Sequence, residues 1–175
     1  MSVLEQLRKI REFPGEKRTL GLADEEIASF EKEYPQLKEA VDAALEQFEN
    51  IRKENPEILD LDEAEQVRVL QEGFLNFYSS DAVNPYVPLG ARGPWMITLK
   101  GAVLHDNGGY GMLGLGHCPP ELDVPLSRRH VMANIMTPSF YQNKFMKAIR
   151  KEIGHRRNGN CPYTHFLCLN SGSEV

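Results

Sequence analysis

The residues with the clearest chemical potential lie near the end of the sequence, where an apolar run is followed by Ser171-Gly172-Ser173-Glu174. Gly172 would let the backbone approach an anion closely, and the hydroxyls of Ser171 and Ser173 can donate hydrogen bonds. A helix beginning there would direct its free N–H groups and the positive end of its dipole toward a phosphate. The alternative is an ordinary serine N-cap with Glu174 in the first turn. Because short Ser/Gly strings are common, the motif alone favours that alternative.

A second group of residues has the side-chain types that bind zinc: Cys161, His165, Cys168, and the pair His117-Cys118 upstream. The apolar run at residues 164–169 predicts a buried strand, on which His165 and Cys168 would point to opposite faces. We therefore predict no metal site. Three cysteines are an odd number, and they are too few for a disulfide framework in a chain of 175 residues. The absence of a signal-peptide pattern in Met1–Pro14 adds to the expectation of a reducing, cytoplasmic setting.

The charges are divided unevenly along the chain. Residues 1–80 carry 19 acidic and 10 basic side chains, whereas residues 81–175 carry 6 acidic and 10 basic ones. A basic cluster at Arg150, Lys151, Arg156 and Arg157 has the charge to meet phosphates. The net charge of −5 and the lack of interleaved aromatic residues favour a solvated helix end instead, so no nucleic-acid partner is predicted. No apolar run approaches the ~20 residues that a membrane span needs, so no membrane partner is predicted either.

The first 80 residues have the periodicity of an acidic, α-helical segment. Five apolar residues share one predicted helix face: Leu37, Val41, Leu45, Phe48 and Ile51. Asp24 predicts the start of an earlier helix, Pro35 either kinks that helix or begins the next, and Asn55-Pro56 ends the segment. A further helix is predicted from about Asp62. Its predicted buried stripe consists of Val67, Leu70, Phe74 and Phe77.

Turn and loop formers dominate residues 79–94, and we predict a linker over residues 81–94. Two short β-type runs follow, Trp95–Leu99 and Ala102–Leu104, and then a turn at Asp106-Asn107-Gly108-Gly109. A helix is predicted over Ser139–Ile153, with Gly154 as its stop.

Four segments resemble, in sequence and in order, the N-terminal region of class III aminotransferases: Trp95–Leu104, Asp106–Tyr110, Gly116–Pro119 and Phe166–Glu174. In that family a β-hairpin with an Asp-x-Asp-Gly-type turn leads to a Gly-His-x-x-Pro-type segment. A helix follows, and then a strand that ends in Ser-Gly-Ser/Thr-Glu-Ala. The resemblance covers residues 90–174, while residues 1–80 contribute nothing to it. Asn107-Gly108 replaces the usual Asp-Gly and keeps the turn chemistry, and Val175 stands where the family usually has Ala.

The resemblance implies an α/β chain, the N-terminal portion of a fold-type I transferase that depends on pyridoxal 5'-phosphate, with residues 95–175 supplying its hairpin, helix and first strand. Such enzymes transfer an amino group from an amino-acid or amine donor to a 2-oxo acid, and they are homodimers with shared active sites. Ser171, Gly172 and Ser173 would hold the cofactor phosphate. The Gly116-His117 loop would lie near the dimer interface and the neighbouring cofactor.

The resemblance also implies that the catalytic residues lie elsewhere. The family's Schiff-base lysine is found far downstream of the Ser-Gly-Ser motif, and no lysine follows Ser173 in these 175 residues. A parallel strand at residues 164–169 would likewise lack later strands to pair with. We therefore expect a truncated portion that is inactive alone. The alternative is a non-catalytic truncated protein acting as a helical interaction module, or through Ser173-Glu174-Val175 as a ligand of PDZ domains.

Overall fold

The N-terminal part of the chain is helical in a computed structural model, which describes residues 1–73, 79, 83–107, 116–121 and 138–166. Its helices are α1 (Val3–Arg11), α2 (Asp24–Glu33), α3 (Pro35–Glu54), a 3-10 helix (Pro56–Asp60) and α4 (Glu63–Leu70). The predicted boundaries are confirmed, because α2 begins at Asp24, Pro35 is the first residue of α3 and Asn55 caps its end. Proline suits the first turn of a helix because that turn needs no backbone donor.

The predicted apolar face of α3 is also confirmed. Leu37, Val41 and Phe48 are at most 1% exposed. Leu45 and Ile51 are partly buried and pack against the same cluster. The spacing of three and four residues therefore places this face on the core, as the helical period requires.

The sheet has three antiparallel strands, β1 (Pro88–Arg92), β2 (Trp95–Thr98) and β3 (Val103–His105), in the order β1-β2-β3. The two β-type runs of the sequence are thus confirmed as β2 and β3, with ends that differ by one residue. Together with the helices, the sheet shows a mixed α/β fold. All strand pairs in the described part of the chain are antiparallel.

The structure differs from the predicted linker at Pro88–Arg92, which form the edge strand β1. A Cβ on Gly90 would lie 2.5 Å from the backbone nitrogen of Ala44 and 2.9 Å from the carbonyl oxygen of Ala40. Glycine therefore lets the backbone of α3 lie directly on the strand. Proline is tolerated as the first residue of an edge strand. Pro88 and Gly90 are residue types that suggest a loop, but here they belong to a strand that packs closely against α3.

The helices and the sheet share one hydrophobic core. Its members come from both parts: Val3, Leu7, Ile10, Ile27, Leu37, Ala40, Val41, Ala44, Phe48, Ile58, Leu59, Trp95, Ile97, Leu99 and Val103. The residues from Met1 to Arg128 accordingly form one compact unit. The acidic segment 1–80 and the strands that follow it belong to this same unit.

The buried face of α4 is polar, and the predicted apolar stripe is wrong for the residues that the structure describes. Leu70 is 47% exposed and Val67 is partly exposed, whereas Glu63 and Gln66 are at most 1% exposed. The remaining predicted members, Phe74 and Phe77, lie outside the described residues.

Hydrogen bonds to the backbone explain how α4 buries polar side chains. Oε2 of Glu63 accepts hydrogen bonds from the N–H groups of Arg18 and Thr19, each at 2.7 Å. Nε2 of Gln66 donates to the carbonyl of Ile58 at 2.9 Å. These bonds satisfy one polar atom of each side chain, whereas Oε1 of Glu63 and Oε1 of Gln66 are buried without a partner among the described residues. The loop before α2 and the 3-10 helix are thereby fixed to α4.

Residues Arg129–Val175 form a second compact unit. Its described helix is α5 (Phe140–Gly154), which confirms the helix predicted over Ser139–Ile153. Oγ of Ser139 accepts hydrogen bonds from the N–H groups of Tyr141 at 3.1 Å and Gln142 at 3.3 Å, and the Gln142 side chain accepts one from the Ser139 N–H. This is a capping box, which satisfies donors that the first turn leaves free.

The strand predicted at residues 164–169 lies only partly within the described chain. Residues 164–166 are described and are not in a strand, and residues 167–169 are outside the described residues.

Candidate functional site

His117 is held where the sheet meets the loop that follows it. Its Nε2 lies 2.9 Å from Oδ2 of Asp106, and the two side chains are 22% and 13% exposed. Asp106 directly follows β3, and His117 belongs to the Gly-His segment of the sequence. The fold therefore brings the segment that begins at Asp106 and the Gly116-His117 segment into direct contact.

Backbone hydrogen bonds fix both partners of this pair to the turn between β1 and β2. His117 forms an isolated antiparallel bridge with Gly93, in which its N–H donates to the Gly93 carbonyl at 2.8 Å and its carbonyl accepts from the Gly93 N–H at 2.9 Å. The N–H of Asp106 donates to the carbonyl of Pro94 at 2.7 Å. The Asp106–His117 geometry is therefore set by the main chain as well as by the two side chains.

Gly116 makes the approach of this loop to the turn possible. Its φ is +73°, a left-handed conformation that residues with a Cβ rarely adopt. A Cβ at this position would also lie 2.8 Å from the carbonyl carbon and oxygen of Gly93. Both the conformation and the close approach require glycine, so the Gly116-His117 pair acts as one structural feature.

Arg92 connects the same loop to α3. Its Nε lies 2.8 Å from Oε2 of Glu39 on the helix, and its Nη1 donates to the carbonyl of Cys118. The Arg92 side chain is 23% exposed and that of Glu39 is 52% exposed. At such exposure an ion pair contributes at most about 1 kcal/mol, so its main effect is to orient the guanidinium toward the loop.

An open cavity of about 450 Å³ lies beside Asp106. Met96 and Leu104 line it, and they are partners across β2 and β3, so both point to the same face of the sheet. The other lining residues are polar: Asn84, Tyr86, His105, Asp106 and Asn107. A cavity lined by both apolar and polar side chains suits a small ligand of mixed polarity.

A carboxylate paired with an imidazole has a well-defined chemical capacity. The carboxylate fixes the orientation of the ring and the position of its proton, and the other ring nitrogen can accept or donate a hydrogen bond. Asp106 lines the cavity, so one member of the pair borders a space that a ligand can enter. The arrangement can therefore position a ligand or relay a proton.

The residues expected to bind the cofactor phosphate, Ser171, Gly172 and Ser173, lie outside the described residues. Gly116 and His117, expected near the neighbouring cofactor, are described: Gly116 lies against Gly93, and the ring of His117 contacts Asp106, which lines the cavity. Sequence reasoning missed Asp106 as a partner of His117. The signal was the position of Asp106 in the sequence, directly after a predicted strand and ahead of the Gly-His segment.

The candidate zinc ligands are not assembled in the part of the chain that the structure describes. No three His, Cys, Asp or Glu residues there are placed to share a metal ion. Sγ of Cys161 contacts the carbonyl oxygen of Tyr163 at 3.6 Å, and Nδ1 of His165 lies 2.9 Å from Oγ1 of Thr164. Cys168 is outside the described residues.

In the basic cluster, Arg150 is engaged locally: it donates to the carbonyl of Thr164, and its guanidinium lies 5.9 Å from the ring centroid of Phe166. His155 likewise contacts its own helix end, with Nδ1 at 2.6 Å from the carbonyl oxygen of Glu152. These contacts agree with a capped and solvated helix end, where cations suit the dipole.

Lys100 is a buried cation that sequence reasoning missed. It lies in the turn between β2 and β3, is 2% exposed, and donates to the carbonyl of Leu59 at 3.1 Å and to that of Pro14. Burial lowers the pKa of Lys100, and the nearby ammonium of Lys17 lowers it further. The carboxylates of Asp60, Asp62 and Glu63 act in the opposite direction. The role of Lys100 is to hold three segments of the chain together.

No family model, curated protein or solved structure matches this chain. Among the helices that the structure describes, none combines the length and apolarity that crossing a bilayer would take.

Proposed function

We propose that this chain is the N-terminal portion of a cytoplasmic class III aminotransferase of fold type I, which uses pyridoxal 5'-phosphate and acts as a homodimer. The reaction is the transfer of an amino group from an amino-acid or amine donor to a 2-oxo acid. The observation that supports this best is the contact between Asp106 and His117. Two of the segments that resemble the family are adjacent in space as well as ordered along the chain.

Ser171, Gly172 and Ser173 would hold the cofactor phosphate. Two hydroxyl donors around a glycine fit a group with nearly two negative charges, and no acidic side chain lies among these three residues. The bound cofactor supplies an electron sink for the bond that is broken, while the protein orients that bond. The Gly116-His117 loop, anchored to Gly93, would face the cofactor of the neighbouring subunit.

Transamination needs a lysine that forms the Schiff base with the cofactor, and in the family this lysine follows the Ser-Gly-Ser motif. The last lysine is Lys151, which precedes the Ser-Gly-Ser motif, so no lysine here matches the catalytic one. We expect the chain alone not to transaminate. The coding sequence beyond codon 175 tests this directly. A continued or frame-shifted remainder that encodes a later lysine supports the enzyme, and its absence would contradict the proposal.

Variants at Ser173 separate a phosphate site from an ordinary N-cap in a protein that includes the downstream region. Hydrogen bonds to charged groups contribute about 1.5–3 kcal/mol, so Ser173→Asp should weaken cofactor binding at least ~10-fold, since it loses one such bond and adds repulsion. Ser173→Ala should cost less because backbone donors remain. If Ser173 is only an N-cap, the Asp variant is nearly silent, whereas the Ala variant loses about 1 kcal/mol of stability. Fluorescence titration with pyridoxal phosphate and thermal melts distinguish the two results.

The shared core weighs against the alternative of a helical interaction module. Val3, Leu7 and Ile27 are fully buried, and they pack in the same cluster as Trp95 and Val103 of the sheet. The apolar faces of these helices are therefore occupied within the chain. A module that recruits partners through its helices needs an apolar face that remains exposed.

A further inference from the structure

Backbone hydrogen bonds hold Asp106 and His117 close to each other, independently of their side chains. The N–H of Asp106 is bound by the Pro94 carbonyl, and the backbone of His117 is paired with Gly93. The side chains therefore start from two fixed backbone positions, and Oδ2 of Asp106 lies 2.9 Å from Nε2 of His117. Both are mostly buried, which strengthens a hydrogen bond to a charged acceptor.

From this geometry we propose that Asp106 is a positioning residue for His117. Whenever the ring is neutral, the carboxylate of Asp106 fixes the Nε2–H tautomer and leaves Nδ1 as an acceptor for an N–H or O–H group of a bound ligand. This role deepens the proposed function and rests on it, because the resemblance is what places the Gly116-His117 loop beside a cofactor. The tautomer itself is a property of the chain and can be measured without any ligand.

The chemistry of the two groups dictates the tautomer. An ionised carboxylate can only accept hydrogen bonds, so the nitrogen that faces it must carry the proton. Among the described residues, the bond to Asp106 is the one that the ring of His117 makes. A neutral ring protonated at Nε2 has its lone pair on Nδ1. The position of Asp106 therefore decides which ring nitrogen is left to accept a hydrogen bond.

His105 provides an internal comparison. Its Nδ1 lies 2.7 Å from Oδ1 of Asn107, and the residue is exposed. An amide can turn to present either a donor or an acceptor, so Asn107 imposes no single tautomer on its neighbour. The two histidines lie in the same compact unit and differ in the partner of the ring.

Nitrogen-15 NMR of the imidazole rings tests the proposal on the 175-residue chain as it is. At alkaline pH, His117 should show a single tautomer protonated at Nε2, with a ring N–H resonance that survives exchange with water. Asp106→Ala should give a mixture of both tautomers and lose that resonance. Glu121→Gln is the matched control, because it removes an exposed carboxylate four residues from His117, and it should leave the spectrum unchanged.

Two results would contradict the positioning role of Asp106. A His117 ring protonated at Nδ1 in the parent, or a mixture there, would overturn the proposal. An unchanged tautomer and an unchanged N–H resonance in Asp106→Ala would do so as well. Folding of each variant is followed by the fluorescence of Trp95, the one tryptophan of the sequence. If Asp106→Ala does not fold, the proposal is decided by the tautomer of His117 in the parent and by the variant His117→Gln. The amide nitrogen of the glutamine should keep the bond to Asp106, so this variant should keep the melting temperature of the parent. A melting temperature as low as that of His117→Ala, which cannot form the bond, counts against the proposal. Cofactor titration tests the aminotransferase separately, so either proposal can fail alone.

Discussion

Replacing Lys100 by Met tests whether a buried ammonium holds the N-terminal unit together. The substitution keeps most of the apolar stem but removes the donor that satisfies the carbonyls of Leu59 and Pro14. A buried carbonyl left without a donor costs about 1–3 kcal/mol, and this cost applies to Leu59, which is buried. Pro14 is exposed, so water can replace the donor of its carbonyl. Relief from burying a charge offsets part of the cost at Leu59. We expect a net loss of about 1–2 kcal/mol in the free energy of unfolding, and a melting temperature lower by roughly 2–8 °C.

The pH dependence of this loss has a definite sign. The pKa of Lys100 is lowered from its ordinary value of 10.5, so the folded state binds this proton less tightly than the unfolded state. Between the lowered pKa and 10.5 the unfolded state holds more protons, and stability therefore rises with pH. The Met variant lacks this contribution. The stability advantage of the parent over Lys100→Met should grow as the pH is raised from neutral toward 10.5.

Urea unfolding followed by Trp95 fluorescence, at several pH values, measures both effects. The matched control is Lys38→Met, because Lys38 is 51% exposed and pairs with Asp42 along α3. An exposed pair of this kind contributes about 0.3–0.5 kcal/mol, so the control should lose no more than that. A Lys100→Met protein as stable as the parent would refute the reasoning. So would an advantage of the parent that shrinks as the pH rises.

Three further outcomes are expected. Gly90→Ala should destabilise the N-terminal unit by about 1–3 kcal/mol, because the new Cβ meets the backbone of α3 at 2.5 Å; an unchanged urea midpoint would contradict this contact. Ser139→Ala should lower the stability of α5 by about 1 kcal/mol through loss of the capping box, measured as faster amide exchange in its first turn, and equal exchange rates would speak against the cap. The 175-residue chain with pyridoxal phosphate, amino acids and 2-oxoglutarate should yield no sustained product, whereas steady turnover would show that a lysine before Ser171 performs the chemistry.

Helix boundaries were predictable where one residue type has a local physical reason. Proline at the start of α3 and Ser139 before α5 act within a single helical turn, and their effect is readable in the sequence. Strand β1 was not predictable in the same way. Gly90 lies in it because α3 packs directly on its backbone, and a contact between residues more than forty positions apart leaves no local pattern.

The polar face of α4 was missed for a related reason. Periodicity assumes that apolar residues face the core, and by that rule Val67 and Leu70 were assigned to the interior. The structure buries Glu63 and Gln66 instead, because two backbone N–H groups of the loop before α2 and the carbonyl of Ile58 need partners. These backbone groups need side-chain partners only once the loop before α2 is packed against α4. A sequence shows the available side chains but not the backbone groups that will meet them.

In the candidate site, too, the features with a local cause were predictable from the sequence, and those that depend on distant residues were not. Gly116 was singled out from a motif, and its left-handed φ gives a physical reason for a glycine there. Its partner at the turn, Gly93, lies twenty-three positions earlier, and the Asp106–His117 bond depends on both Pro94 and Gly93 holding the two backbones in place. Motif order alone could have arisen by chance in a loop-rich segment. Contact between two motif residues is a more demanding condition than their order along the chain, and for this reason the aminotransferase proposal takes the Asp106–His117 contact as support beside the Ser-Gly-Ser string.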